Sequence, residues 1–344
     1  MRDYTGQTVY IGIDVHKKTY SVTAVCDRQI VKKDRLQADP QLLGGYCKKN
    51  FQGAEIVSAY EAGFCGFALH RKLEDLGIVN RIVHPAGIEV MVRERVKNDR
   101  RDSEKIATQL SEGRLKGIHV PSEKREGYRE VSRLREVLVR KKNIVSNQIK
   151  SLLHRQGLFR EEDNKILSQK RVRGFLEEDL PGDIKYCLSK YCEEWLRLVE
   201  EIKEINKKLE EQSKEDGLEQ IYRSLPGVGQ TSARVLANEL GDMSQFSNER
   251  KLFSYTGFTP REHASGEHRW QGHISRQGKP ILRKILVQAA WRGIREDEGL
   301  EKRFTELSKR VGARKAIVAI ARILIGYGRS CFKENRLYEK RSAH

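Results

Sequence analysis

The chain has no pair of cysteines spaced for a metal ribbon. Its six, Cys26, Cys47, Cys65, Cys187, Cys192 and Cys331, are scattered without a CxxC step. Neither a zinc ribbon nor a disulfide scaffold is supported, and reduced, mostly structural thiols are expected. No apolar run approaches the roughly 18 residues that span a bilayer. Met1-Arg2-Asp3-Tyr4 lacks the pattern of a secretory leader, so a soluble, cytoplasmic protein with no membrane contact is expected. Acids are the scarcer charge: 48 Asp and Glu stand against 66 Lys and Arg, a balance of +18, with a sequence pI near 9.6. Such a surplus calls for a polyanionic partner, nucleic acid ahead of an acidic membrane surface. It is uneven, because Glu301 to His344 carries twelve basic and four acidic residues. That end is a candidate nucleic-acid surface, unless it is a solvated face.

At 344 residues the chain exceeds what one compact core usually fills, so two domains are the default expectation. The N-terminal part is organised around Val9 to Val25. Val9 to Ile13 reads as a short apolar strand ending on Asp14; His16-Lys17-Lys18 makes a basic turn, and Thr19 to Val25 is rich in β-formers. A helix around Pro40 to Lys49 follows, then a strand Glu55 to Tyr60 closed by Glu61. A helix Phe67 to Leu76 is stopped by Gly77, and Ile78 to His84 reads as a further strand. Alternating strands and helices predict an α/β sheet domain. Asp14 and Glu61 both fall at C-terminal strand ends, where open α/β sheets place their sites. Alone, Asp14 reads equally well as a solvated turn aspartate.

Lys97-Asn98-Asp99-Arg100-Arg101-Asp102 opens a helix expected to run to about Glu112, with Asp99 as its N-cap and Ile106, Ala107 and Leu110 facing inward. Asp99 and Asp102, three apart, share one face and could share a cation, while Lys97, Arg100 and Arg101 would suit an approaching phosphate. Capping and intrahelical ion pairing explain the same residues. Taken together, Asp14, Glu61, Asp99 and Asp102 supply the hard oxygen ligands that two-metal phosphoryl-transfer sites need, and suit a ribonuclease-H-like nuclease domain.

Ser122 begins a long helix to about His154, with Val131, Leu138, Val145 and Leu152 every seventh residue and an imperfect companion row, Leu134, Lys141 and Gln148. A cleaner seam runs through Leu188, Trp195, Ile202 and Leu209, interleaved with Tyr191, Leu198 and Ile205. Glu161 to Asp183, with Pro181-Gly182, reads as a connection between them. Two antiparallel helices within one chain, or a dimerising stalk, would satisfy the pattern.

Ile221 to Ala233 contains Leu225-Pro226-Gly227-Val228-Gly229 before an apolar helix, Val235 to Leu240. This matches the hairpin of a helix-hairpin-helix element, where glycines Gly227 and Gly229 let backbone amides approach a phosphate; a purely structural turn is the alternative. Ser265, before Gly266 in a basic polar loop, is a candidate nucleophile on phosphorus, with Arg261, Arg269 and Arg276 to neutralise the phosphate. Chemistry alone barely separates Ser265 from Ser254 or Ser275. His263, His268 and His273 recur every fifth residue, the wrong spacing for one helical face, so zinc is disfavoured. Helices Lys279 to Arg292 and Lys315 to Ile325 carry stripes for an α-helical core.

Gly12-Ile13-Asp14-Val15-His16-Lys17, Tyr60-Glu61 and Lys97 to Asp102 resemble the N-terminal domain of DEDD-type insertion-sequence transposases. Leu225 to Gly229, Gly257 to Arg261, Ser265-Gly266, Ile274 to Gly278 and Leu282-Arg283 resemble the C-terminal transposase domain of the same family. The resemblance covers nearly the whole chain. It implies a RuvC-like, ribonuclease-H-like domain over 1–121, a helical coiled-coil connector over 122–215 used in assembly, and a mainly α C-terminal domain over 216–344. It further implies Mg²⁺ held by Asp14, Glu61, Asp99 and Asp102, and a covalent link from Ser265 to DNA. Members are recombinases guided by a structured bridge RNA, with composite sites assembled across the subunits of a tetramer. The family usually has Thr at Asn98 and Ala at Ser103; its serine loop often has two serines where this chain has Ala264-Ser265. Two other functions remain open at this level: a Holliday-junction-type endonuclease whose acids activate water, and a non-catalytic DNA- or RNA-binding protein.

Overall fold

The structure, a computed structural model, describes residues 3–89, 99–214, 216–265 and 268–340, with the backbone alone at 99–100, 162, 262–265 and 268–271. The chain divides into two compact units, Met1–Val120 and Pro121–His344.

The first unit is a five-stranded mixed sheet with helices on both faces. Its elements are β1 (Thr8–Val15), β2 (Thr19–Cys26), β3 (Gln29–Gln37), α1 (Pro40–Asn50), β4 (Glu55–Glu61), α2 (Ala68–Asp75), β5 (Val79–Val83) and α3 (Asp99–Ser111). The spatial order is β3-β2-β1-β4-β5. β1, β2 and β3 form an antiparallel meander, whereas β4 and β5 run parallel to β1. Alternation along β1 sends Val9, Ile11 and Ile13 into a core shared with Leu43 and Cys47 of α1 and Leu69 and Leu73 of α2. Asp39 starts α1 by accepting from the Gln41 amide at 2.7 Å, with Pro40 pre-set for the first turn. The opposite face carries α3: Ile106 and Leu110 pack on Val57, Ala59 and Val83.

The second unit opens with α4 (Glu123–Arg155), capped by Ser122, then α5 (Gln169–Phe175) and α6 (Gly182–Lys214). α4 and α6 each have 33 residues, about 50 Å at 1.5 Å per residue. They pair antiparallel within the chain: Trp195 donates to Ser146 at 2.8 Å, and Arg135 donates to Asn206 at 2.6 Å. Leu138, Val145, Ile149 and Leu152 meet Leu188, Cys192, Trp195 and Leu198. Helices α7 (Leu218–Ser224), α8 (Gln230–Leu240), α9 (Glu249–Thr256), α10 (Pro280–Gly293), α11 (Glu298–Val311) and α12 (Ala313–Glu334) build the other core, beside a hairpin of β6 (Pro260–Ser265) and β7 (His268–Ile274).

α4 is bolted to α8 by buried polar groups. Arg129 donates to the carbonyls of Asn238 at 2.7 Å and Glu239 at 3.0 Å, which cover the carboxyl end of α8. Glu239, fully buried, takes Arg133 at 3.0 Å and Lys279. Burial opposes its charge, but Lys279 and Arg133 outweigh it and hold the carboxyl below the usual range. Asp216 behaves alike, burial being outweighed by Arg125 and Arg234. Burial pushes the Cys47 and Cys192 thiols up to about 12, which keeps them protonated at neutral pH.

Candidate catalytic and nucleic-acid sites

In the first unit the register of two parallel strands sets the geometry. Ile13 of β1 lies opposite Tyr60 of β4, so the next residues, Asp14 and Glu61, stand side by side at the same strand ends. Side chains alternate, so Asp14 shares the face of Gly12, and Glu61 that of Ala59, which is the face that carries α3. α3 seats close on that face at Gly12. A Cβ at Gly12 would overlap the Ser103 carbonyl and the Ala107 amide. The Ser103 hydroxyl meets that of Thr23 on β2 at 2.9 Å, both fully buried. Lys33 of β3 pairs with Glu104 at 2.7 Å. These contacts fix the first turns of α3, and with them Asp102, over the sheet.

Asp14 is half-buried, with its Oδ2 3.0 Å from His16 Nε2. Asp102 is half-buried and 3.6 Å from Lys105. Glu61 and Arg101 are exposed. Asp99 forms the first residue of α3, where the sequence suggested its N-cap. Of Asp99 and Arg100 only the backbone is described, and Lys97 lies outside the described residues. Among the described residues no three carboxylate, imidazole or thiol groups converge on one point. By chemistry the donor set fits a hard divalent cation: Asp14, Glu61 and Asp102 offer only carboxylate oxygens, and the sheet and α3 gather them on one face.

In the second unit, Ser265 is not in a loop. It ends β6, opposite His268 of β7, with Ala264 opposite Arg269 and His263 opposite Trp270. The serine therefore stands at the tip of a two-stranded ribbon, where its backbone is held by the ladder. Arg261 is exposed on β6, and Arg269 stands on β7, described by its backbone alone. Arg276, exposed just after β7, adopts a left-handed φ of 55°. Its segment is clamped to the end of α9, because a Cβ at Gly278 would overlap the Tyr255 carbonyl. Arg283 of α10 donates to the Thr256 carbonyl at 3.1 Å. Its pKa is lowered by burial and by the charge of Arg276. Arg283 therefore joins Arg276 among the candidate site residues, although in the sequence only its place in a motif marked it.

The two hairpin glycines have different surroundings. Gly227 has φ 73°, and a Cβ there would overlap the Ala289 carbonyl and the Gly293 amide. Its N–H donates to the Glu296 carboxylate at 2.9 Å. Gly229 instead heads α8 with no side-chain cap and nothing closer to its Cβ than Arg292, at 4.0 Å. It opens on a cavity of about 430 Å³ lined by Thr231, Ser232, Arg135, Lys284 and Arg292. Of the two, Gly229 has the open approach.

Two family models match the chain, one described as a DEDD transposase over residues 11–156 and one as the IS116/IS110/IS902 transposase family over residues 219–306. These matches define the class: an enzyme that cuts and rejoins DNA in transposition. The chain belongs to the IS110/IS116 family of insertion-sequence transposases. It is 26% identical over 286 residues to a probable family 20 transposase of Pseudomonas aeruginosa, covering 81% of this chain and 82% of that one. It is 28% identical over 271 residues to the transposase for insertion sequence element IS1111A of Coxiella burnetii, covering 75% and 72%. A pilin gene-inverting protein of Moraxella bovis is 30% identical over 128 residues, 35% of this chain and 38% of that protein.

Proposed function

We propose that this transposase exchanges DNA strands through a covalent bond between Ser265 and DNA, assisted by Mg²⁺ at a ribonuclease-H-like acidic site. The observation that carries the acidic half is the register that sets Asp14 beside Glu61 under the helix bearing Asp99 and Asp102. Mg²⁺ there would polarise the scissile phosphate and stabilise the leaving 3′ oxygen. Ser265 Oγ attacks phosphorus as its proton leaves; the P–O3′ bond breaks, and a phosphoserine ester and a free 3′ hydroxyl remain. Attack by a 3′ hydroxyl from another strand reverses the step and releases the serine. Arg261, Arg269 and Arg276 are the cations available to offset the phosphate charge. The gene-inverting relative supports exchange over mere cutting.

The partners are DNA, a structured guide RNA and further copies of the chain. RNA rests on the family resemblance and the +18 charge. Assembly is supported by Leu134, Val137 and Ile144 of α4, which stay exposed although α6 covers another face of the same helix. Lys97, Arg100 and Arg101, next in sequence to Asp99 and Asp102, and Gly229 at the hairpin are the proposed phosphate contacts, while Gly227, whose amide is taken by Glu296, shapes the turn.

The acidic half is tested with Asp14→Asn and Glu61→Gln proteins on labelled element-junction DNA with Mg²⁺ and the element's RNA. Strand cutting lost at least a hundredfold with DNA binding retained is expected. Wild-type cutting by Asp14→Asn would leave these acids without a catalytic role.

A further inference from the structure

Helices α11 and α12 meet at Gly312, which ends one and starts the other with φ 80° and ψ 152°. The tip reads Lys309-Arg310-Val311-Gly312-Ala313-Arg314-Lys315, and every one of these residues is exposed. No Asp or Glu occurs between Glu306 and Glu334. None of the four tip cations makes a side-chain hydrogen bond or ion pair with any described residue.

Elsewhere the chain treats exposed cations differently. On α6, Lys190 pairs with Glu193, Lys203 with Glu200 and Lys208 with Glu211, and Arg197 bridges Glu194 and Glu201. Helix electrostatics account for half of the tip. Lys309 and Arg310 lie in the last turn of α11, where the macrodipole favours positive charge. Arg314 and Lys315 lie in the first turn of α12, the end that repels it, and no acid is there to compensate. They also lie next to two like charges. Folding therefore gains nothing from Arg314 and Lys315, and an anion bound at the tip would reverse both penalties.

We infer that the α11–α12 tip is a second DNA-gripping element, seating duplex phosphates against Lys309, Arg310, Arg314 and Lys315. Duplex DNA is the occupant because it is what this family cuts and rejoins, and a tight, glycine-jointed tip presents point charges to a backbone without reading bases. The tip lies beyond the family-matched 219–306, and its role is independent of how the strands are cut.

The test is binding of the full chain to a short duplex of arbitrary sequence over a series of NaCl concentrations. The variants are Lys309→Ser/Arg310→Ser/Arg314→Ser/Lys315→Ser, a charge-matched control at Lys190, Lys203, Lys207 and Lys208, and Arg314→Glu/Lys315→Glu. At roughly 0.9 per phosphate contact, the slope of log affinity on log salt should become shallower by about 2 to 4 in the tip variant and hold in the control. Arg314→Glu/Lys315→Glu should weaken binding while leaving the melting temperature equal or higher, which a merely structural role would not produce. An unchanged slope, an equal loss in the control, or a loss confined to structured RNA in a parallel titration would overturn the assignment.

Discussion

Gly12 of β1 lies directly beneath Ser103 of α3, so close that a methyl group on Gly12 would overlap the Ser103 carbonyl. Both residues stand next to acids of the candidate metal site: Asp14 follows Gly12 by two, and Asp102 immediately precedes Ser103. Gly12→Ala should therefore lift α3 and spread the acids. Overpacking of this kind costs about 1–3 kcal/mol, so a lower urea midpoint is expected together with weaker Mg²⁺-dependent cutting. Unchanged values of both would show that α3 tolerates the methyl and that Gly12 does not position the site.

The Ser103 hydroxyl is matched by Thr23. Ser103→Ala should strand the Thr23 hydroxyl and cost about 1–2 kcal/mol. Adding Thr23→Val should recover most of that, because both partners are then apolar. A denaturation cycle over the four proteins measures the coupling.

The hairpin glycines should separate folding from binding. Gly227→Ala combines a left-handed φ with backbone overlap and should lower the melting temperature sharply. Gly229→Ala has ordinary φ and open space, so the fold should hold, while DNA affinity falls if the start of α8 receives a phosphate. Calorimetry and a binding titration on the same two proteins distinguish these outcomes.

Acid should unfasten the second unit. The carboxyls of Glu239 and Asp216 are depressed in the folded chain. Their stabilisation is therefore present above the unfolded values, near 4, and is lost as pH falls through the lower folded ones. A melting temperature level between neutral pH and about 5 and falling below about 4 is expected. Glu239→Gln should remove about 1.5–3 kcal/mol at neutral pH, since Arg133 and Lys279 lose a charged partner but keep access to water, and should flatten the acid limb.

Much of this was legible in the sequence. Apolar runs closed by an acid gave β1 and β4 nearly to the residue, and the seam through Leu188, Trp195 and Leu198 gave the inward face of α6. β3 escaped because QIVKKDRLQ is an exposed edge strand, whose sides are polar or half-covered and leave little alternation. The β6–β7 ribbon escaped for a similar reason: HAS and HRW show no β-branched pattern, and pairing across the ribbon, not local propensity, makes it a strand. α11 went unread because its charged sequence buries only Leu300. On α4, periodicity found Leu138, Val145 and Leu152, but could not tell that Leu134 of the companion row would remain exposed. The acids were visible as strand ends; that Asp14 and Glu61 are neighbours required the parallel register, a long-range fact no local pattern carries.

The most direct test of the central claim is covalent trapping. Wild-type, Ser265→Ala and Asp14→Ala proteins are incubated with Mg²⁺, the element's RNA and labelled junction DNA, denatured, and resolved on a gel. A labelled protein–DNA adduct in the wild type that disappears in Ser265→Ala is the predicted result, with Asp14→Ala showing whether the acidic site serves the same step. Mg²⁺-dependent cuts without any adduct, undiminished in Ser265→Ala and lost in Asp14→Ala, would contradict it and indicate an enzyme whose acids activate water.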